Sequence, residues 1–258
     1  MGQILSCGGY SGGPAHGGRT IKVFSSPDTI GEAVFITCFS LGLNIEVEDV
    51  DGHSTQYKAI NPTSTVPALL LENGLLVTEL SLVFTTLCDQ AVREETAPAG
   101  FVLTHPHGTP ERLRLQDLLH WICNEMHTNL SSLMQPEVSS NQTLKDYFLS
   151  KAAMNVQYVE TQVLRKNKPF LLSDQLLVCD IVMHTLLKWC YKLNVNIDFP
   201  LTRLYLKRLG LIPKLIAANA LLKSVSPPPS PRGSPEKDFG ATPRRRRTSM
   251  TQPAELTF

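Results

Sequence analysis

Along the middle of this chain apolar positions first alternate or bunch in short runs. Past about residue 110 they recur every three or four places. That change of period is a change from mixed structure to helix. Ile21-Lys22-Val23-Phe24 predicts a short strand, and Ser25-Ser26-Pro27-Asp28 a turn. Thr29-x-x-Glu32 has the spacing of a capping box; it opens a helix that turns Val34, Phe35, Cys38 and Leu41 to the core and ends at Gly42. A second strand covers Ile45 to Val50, and a loosely patterned stretch leads to Asn61-Pro62. Val66-Pro67-Ala68-Leu69-Leu70-Leu71 and Leu75-Leu76-Val77 predict a hairpin closed by a two-residue Asn73-Gly74 loop of type I′. Helix resumes near Thr78 and reaches about Gln90. After the Pro- and Gly-containing link from Ala97 to Pro110, helices are expected over roughly 111–134, 142–167, 174–193, 200–208 and 213–222. The organisation expected is an α/β domain at 21–95, a linker at 96–110 and an all-helical domain at 111–223.

Both ends break the pattern. Residues 1–20 hold seven of the sixteen glycines and little that is apolar beyond Ile4 and Leu5, which predicts a flexible leader without the apolar core of a secretory signal. Residues 224–258 hold seven of the eighteen prolines, four Ser/Thr-Pro pairs and the run Arg244-Arg245-Arg246-Arg247, which predicts a disordered tail. The 258 residues suit two small domains, and 42% hydrophobic with 18% charged residues excludes a wholly disordered chain. The net charge is +1, but the tail carries six Lys/Arg against three Asp/Glu, so the rest is slightly acidic and offers no nucleic-acid footprint. The six cysteines form no C-x-x-C pair, and Cys38, Cys88, Cys123, Cys179 and Cys190 sit in apolar periodic segments, as buried thiols in a reducing compartment would. His105-Pro106-His107 reads as a loop, and no metal site is expected.

Met1-Gly2-Gln3-Ile4-Leu5-Ser6-Cys7 fits the N-myristoylation pattern at Gly2, and Cys7 is placed for palmitoylation. One acyl chain binds marginally, so the second chain, helped by Arg244–Arg247 at an anionic leaflet, makes a stable anchor. Ser226, Ser230, Ser234 and Thr242 precede prolines, and Thr248 and Ser249 follow the arginines; all six are phosphorylation candidates, and phosphate there would offset the positive run. The expected location is peripheral, on the cytoplasmic side of a membrane.

The β-α-β-β-β-α order with Val-Pro entering the third strand is the thioredoxin-like plan. Several strings extend the likeness: Asn61-Pro62-x-x-x-Val66-Pro67-Ala68-Leu69, Thr78-Glu79, Leu118-Leu119-His120-Trp121-Ile122-x-x-Glu125-Met126-His127, Ser173-Asp174-Gln175-Leu176-x-Val178-Cys179-Asp180-Ile181, and Asp198-Phe199-Pro200 through Ile212-Pro213. In this order they resemble the glutathione S-transferases, with the helical half nearest the bacterial beta class. The resemblance implies an α/β plus all-α fold: a thioredoxin-like N-terminal domain followed by a helical glutathione-transferase C-terminal domain. It also implies a homodimer, and glutathione as ligand and substrate.

The resemblance implies a site as well. Val66, before a cis Pro67, would pair through its backbone with the cysteinyl part of glutathione; the same turn also serves the fold alone. Glu79 would accept the γ-glutamyl ammonium or act only at a helix terminus, and Leu80 stands where the family has a serine for the γ-glutamyl carboxylate, with Ser81 one place on. Ile30 stands at the beta-class cysteine, so Thr29 and Ser25 are the candidates to assist a thiolate, Thr29 doubling as a helix cap. His127 matches a beta-class active-site histidine, while Asp180 is expected to hold its own helix start. Two functions follow. One is a membrane-tethered glutathione transferase-like protein that binds glutathione and conjugates it to electrophiles. The other is a non-catalytic glutathione-transferase-fold module for protein–protein interaction at a membrane.

Overall fold

The computed structural model describes residues 3–5, 20–99, 101–166 and 168–225; Gly2, Cys7 and all six phosphorylation candidates lie outside them. The α/β part contains β1 (Gln3–Leu5), β2 (Ile21–Ser25), α1 (Gly31–Leu41), β3 (Ile45–Asp49), α2 (Thr55–Ile60), β4 (Ala68–Leu70), β5 (Leu76–Val77) and α3 (Leu80–Glu94). The sheet order is β1-β3-β2-β4-β5; β2 and β3 run parallel and every other neighbouring pair antiparallel. Where a leader without structure is expected, Gln3–Leu5 pairs along β3, Ile4 and Leu5 being the two bulky apolar residues available there for an edge.

The described residues up to Ser224 form one compact unit, because α1 has apolar residues almost all round and is covered on two sides. It packs against α3 within the α/β part and against α8 (Val178–Lys192) from the helical part, so Ile21, Val34, Leu87, Leu119, Ile181 and Leu215 belong to one continuous core. The opposite face of the sheet has a small cluster of its own: Phe24, Ala68 and Tyr57, with the two rings 5.6 Å apart. Tyr57 comes from α2, which the sequence pattern misses because six residues with one buried side chain leave no stripe to read.

Two local expectations fail. The Thr29–Glu32 capping box does not form: α1 starts at Gly31, and the Glu32 carboxylate reaches Lys188 of α8 instead, an ion pair across the core that a backbone N–H cannot match. The hairpin loop is not type I′. Gly74 N–H donates to the Leu71 carbonyl (2.9 Å), Leu71 N–H to the Leu75 carbonyl (2.9 Å), and Gly74 alone in the loop has positive φ (81°). This is a three-residue loop with the glycine in the left-handed position, whereas type I′ needs two such residues.

The helical part comprises α4 (Pro110–Trp121), a π-helical stretch (Ile122–Met126), α5 (His127–Leu133), α6 (Pro136–Ser139), α7 (Gln142–Tyr158), a second π-helical stretch (Val159–Val163) and a 3₁₀ turn (Leu164–Lys166). It closes with α8 (Val178–Lys192), α9 (Pro200–Leu209) and α10 (Pro213–Val225). The start of α8 is tied from inside. Asp180 is fully buried and accepts from Leu177 N–H (2.8 Å), Leu171 N–H (3.0 Å) and the Tyr205 hydroxyl (2.9 Å). As expected, its role is structural; the cap works without Ser or Thr because the carboxylate itself reaches back to the Leu177 amide.

Candidate functional site

The sheet register assembles one corner of the molecule. Phe24 pairs with Ala68 and Leu69 with Val77, so the end of β2, the residues that enter β4 and those that leave β5 lie at the same edge of the sheet. Neighbouring strands sit about 4.8 Å apart, which brings the end of β2, the entry of β4 and the start of α3 together.

The Val66–Pro67 bond is cis, as the resemblance implies. No backbone hydrogen bond joins Val66 to another described residue, and its side chain is half-buried. The loop before it is held by groups the sequence reading passed over. The Tyr57 hydroxyl and Asn61 Nδ2 both donate to the Thr65 carbonyl (2.6 and 2.9 Å), and Asn61 Oδ1 accepts from the Thr63 hydroxyl (2.7 Å). Asn61 is 1% exposed, and burial pushes the Tyr57 phenol up. Neither has a local signal, because a side-chain amide or hydroxyl is buried only where packing brings it partners.

At α3, Glu79 is the N-cap residue, but its exposed carboxylate bonds to nothing in the helix. The Leu80, Ser81 and Leu82 amides open the helix without intrahelical acceptors, and the helix dipole adds partial positive charge there. Leu80 lies half-buried against the core, and the Ser81 hydroxyl sits 3.4 Å from His120 Nδ1.

At the β2–α1 turn, the Thr29 hydroxyl donates to the Ser26 carbonyl (2.7 Å) and accepts from Gly31 N–H (3.3 Å). Its one proton is therefore committed to the backbone. Ser25 Oγ lies 3.5 Å from Thr29 Oγ1 and keeps a proton that no backbone group takes. Gly31 allows this packing: a Cβ there would fall 1.9 Å from Ser25 Oγ. Ile30, at the beta-class cysteine position, is 1% exposed and belongs to the core.

His127 packs against the Trp189 ring at 5.8 Å in the helical part, and desolvation pushes it down to about 4. A neutral ring suits that apolar setting. His107 finds the carboxylate that the loop reading had not given it: Asp89, at 3.2 Å, which also holds Arg112 at 3.0 Å. Among the described residues no three His, Cys, Asp or Glu side chains group as metal ligands. The five described cysteines are buried; burial pushes the Cys123 and Cys190 thiols up to about 12 and raises those of Cys88 and Cys179 as well. The corner thus offers a strand-like backbone at Val66, an open helix start with an outlying carboxylate, and the Ser25 hydroxyl, whose proton no backbone group takes.

No protein-family profile matches the chain. Glutathione S-transferase GstA of Escherichia coli O157:H7 is 25% identical over 185 residues, covering 69% of this chain and 86% of that protein. A solved glutathione transferase from Methylococcus capsulatus is 29% identical with a TM-score of 0.68, covering 80% of this chain and 100% of its own. A sphingomonad glutathione S-transferase solved with glutathione superposes with a TM-score of 0.68 at 20% identity, covering 80% and 100% of the two chains; at that identity the likeness is one of fold.

Proposed function

We propose, starting from a chain that has the glutathione S-transferase fold, that it binds glutathione at the corner formed by Ser25, Val66–Pro67 and the start of α3. The observation that supports this reading is the register that brings the end of β2, the entry of β4 and the end of β5 to one edge of the sheet, with the cis Val66–Pro67 bond at the β4 entry. The Val66 backbone would pair with the tripeptide as one more strand. Glu79 would accept the γ-glutamyl ammonium, and the Ser81 amide at the α3 start would take the carboxylate.

Conjugation would use glutathione's own thiolate, since Ile30 supplies no sulfur. Ser25 is better placed than Thr29 to donate to that thiolate, because the Thr29 proton is already given to Ser26. The same commitment, with the buried Ile30, favours a second reading: a module that keeps the ligand corner and has lost thiol activation. Calorimetric titration of the full chain with glutathione, run beside a conjugation assay with an aryl halide, separates them. On the enzymatic reading Ser25→Ala lowers the rate at least tenfold, while Thr29→Val changes it less. Binding without any turnover supports the module, and absence of binding removes both.

The chain would act at a membrane through acylation of Gly2 and Cys7. Gly2→Ala should release the protein to the soluble fraction entirely, and Cys7→Ser partly and reversibly, because one myristoyl chain holds only marginally. Retention of Gly2→Ala on membranes would remove the acyl anchor.

A further inference from the structure

Charge is unevenly spread along this sequence. Residues 1–198 hold 13 Lys/Arg against 20 Asp/Glu, whereas residues 199–235 hold six Lys/Arg and no acid. The folded portion of that basic stretch is α9 and α10. In α9, Thr202, Tyr205 and Leu209 face inward, which leaves Leu201, Arg203, Leu204, Lys207 and Arg208 to solvent. Leu204 is 48% exposed and Leu211, in the turn that follows, 70%. In α10, Leu215 and Ala218 face inward, and Pro213, Ile216, Ala217 and Ala220 form an outward face with no polar side chain. Lys214 is turned the other way, donating to the Ser40 carbonyl at 2.9 Å.

This face is fixed in place. The Glu160 carboxylate accepts from Leu201 N–H (2.9 Å), Thr202 N–H (2.7 Å) and the Thr202 hydroxyl (2.8 Å), so the start of α9 is held to the second π-helical stretch. Two acids lie beside α9: Glu160, bonded to its start, and Asp198, 2.9 Å from Arg203. Arg208 donates to the Pro169 carbonyl at 3.1 Å.

We propose that the outward face of α9 and α10 docks on an anionic lipid bilayer. Leu201, Leu204, Leu211 and Ile216 enter the boundary between headgroups and acyl chains, and Lys207 and Arg208 meet lipid phosphates. Exposed bulky aliphatics beside Lys207 and Arg208 are what an anionic interface selects, and the acidic remainder of the chain is repelled and so orients the protein. The contact belongs to the folded body and is independent of the acyl chains and of glutathione.

The test is sedimentation of the full chain carrying Gly2→Ala with phosphatidylcholine vesicles, with and without phosphatidylserine. The protein is expected to bind only the phosphatidylserine vesicles. Lys207→Glu with Arg208→Glu should weaken that binding by about tenfold or more. Leu204→Ser with Ile216→Ser should weaken it several-fold, with thermal unfolding of both variants close to the parent. Three results would overturn the proposal: no binding by the parent, unchanged binding by the charge-reversed variant, or loss of binding only when Arg244–Arg247 are changed to alanine. So would a parent that is dimeric by light scattering and made monomeric by Ile216→Ser, since the face would then belong to a second copy.

Discussion

The starts of α8 and α3 each carry a carboxylate at or near the cap, and the two do opposite things. At α8, Asp180 is buried and makes three hydrogen bonds, one of them to the amide at its own helix cap. At α3, Glu79 is exposed, makes no cap bond, and leaves the first amides open. The closed start ties two helices and a loop together; the open start is where the proposed reading puts the γ-glutamyl end of glutathione. The contrast is between a carboxylate bonded within its own chain and one left to solvent.

The largest way to break that contrast is to truncate both acids. Asp180→Ala strands two buried amides and a phenol, and should cost about 3 kcal/mol or more in urea unfolding. Glu79→Gln should leave unfolding within about 0.5 kcal/mol of the parent while weakening glutathione binding. Equal losses of stability at the two sites would erase the distinction.

A second change sharpens it. Leu80→Ser restores a hydroxyl at the open start, and a hydrogen bond to a charged carboxylate is worth about 1.5–3 kcal/mol, so glutathione should bind roughly ten- to a hundredfold tighter. Unchanged affinity would mean that the α3 start does not hold the γ-glutamyl group.

The smallest expected effect is on acid stability, where two buried groups pull in opposite directions. His127 is pushed from its ordinary 6.5 down to about 4 by burial, so the unfolded chain takes its proton first. Its share of stability is full above 6.5 and is lost as pH falls towards 4. His184, also pushed down by burial, adds to that loss. The Asp180 carboxyl is pushed from 3.8 up to about 6 by burial, against the pull of its hydrogen bonds. The native protein therefore takes that proton first, and its share of stability rises as pH falls from about 6 to about 4. Unfolding followed between pH 7 and 4.5 should show a steeper acid loss in Asp180→Asn than in the parent, and a shallower one in His127→Gln.

Most of the element order, though not β1 or α2, and the change from sheet to helix near residue 110 were legible in the sequence, because both rest on local period. Val66–Pro67, Glu79 and the Asp180 helix start were legible through strings that carry a resemblance. Which groups are already bonded depends on packing. Thr29 is legible as a capping residue, but the destination of its proton depends on where the Ser26 carbonyl points. Glu32 fits a capping box locally, yet Lys188, 156 residues away, takes its carboxylate. Tyr57 and Asn61 give no periodic signal, and their hydroxyl and amide become visible only once both reach the Thr65 carbonyl. Local spacing sets which backbone bonds can form. Competition from distant partners, set by packing, decides which of the side chains are already spent.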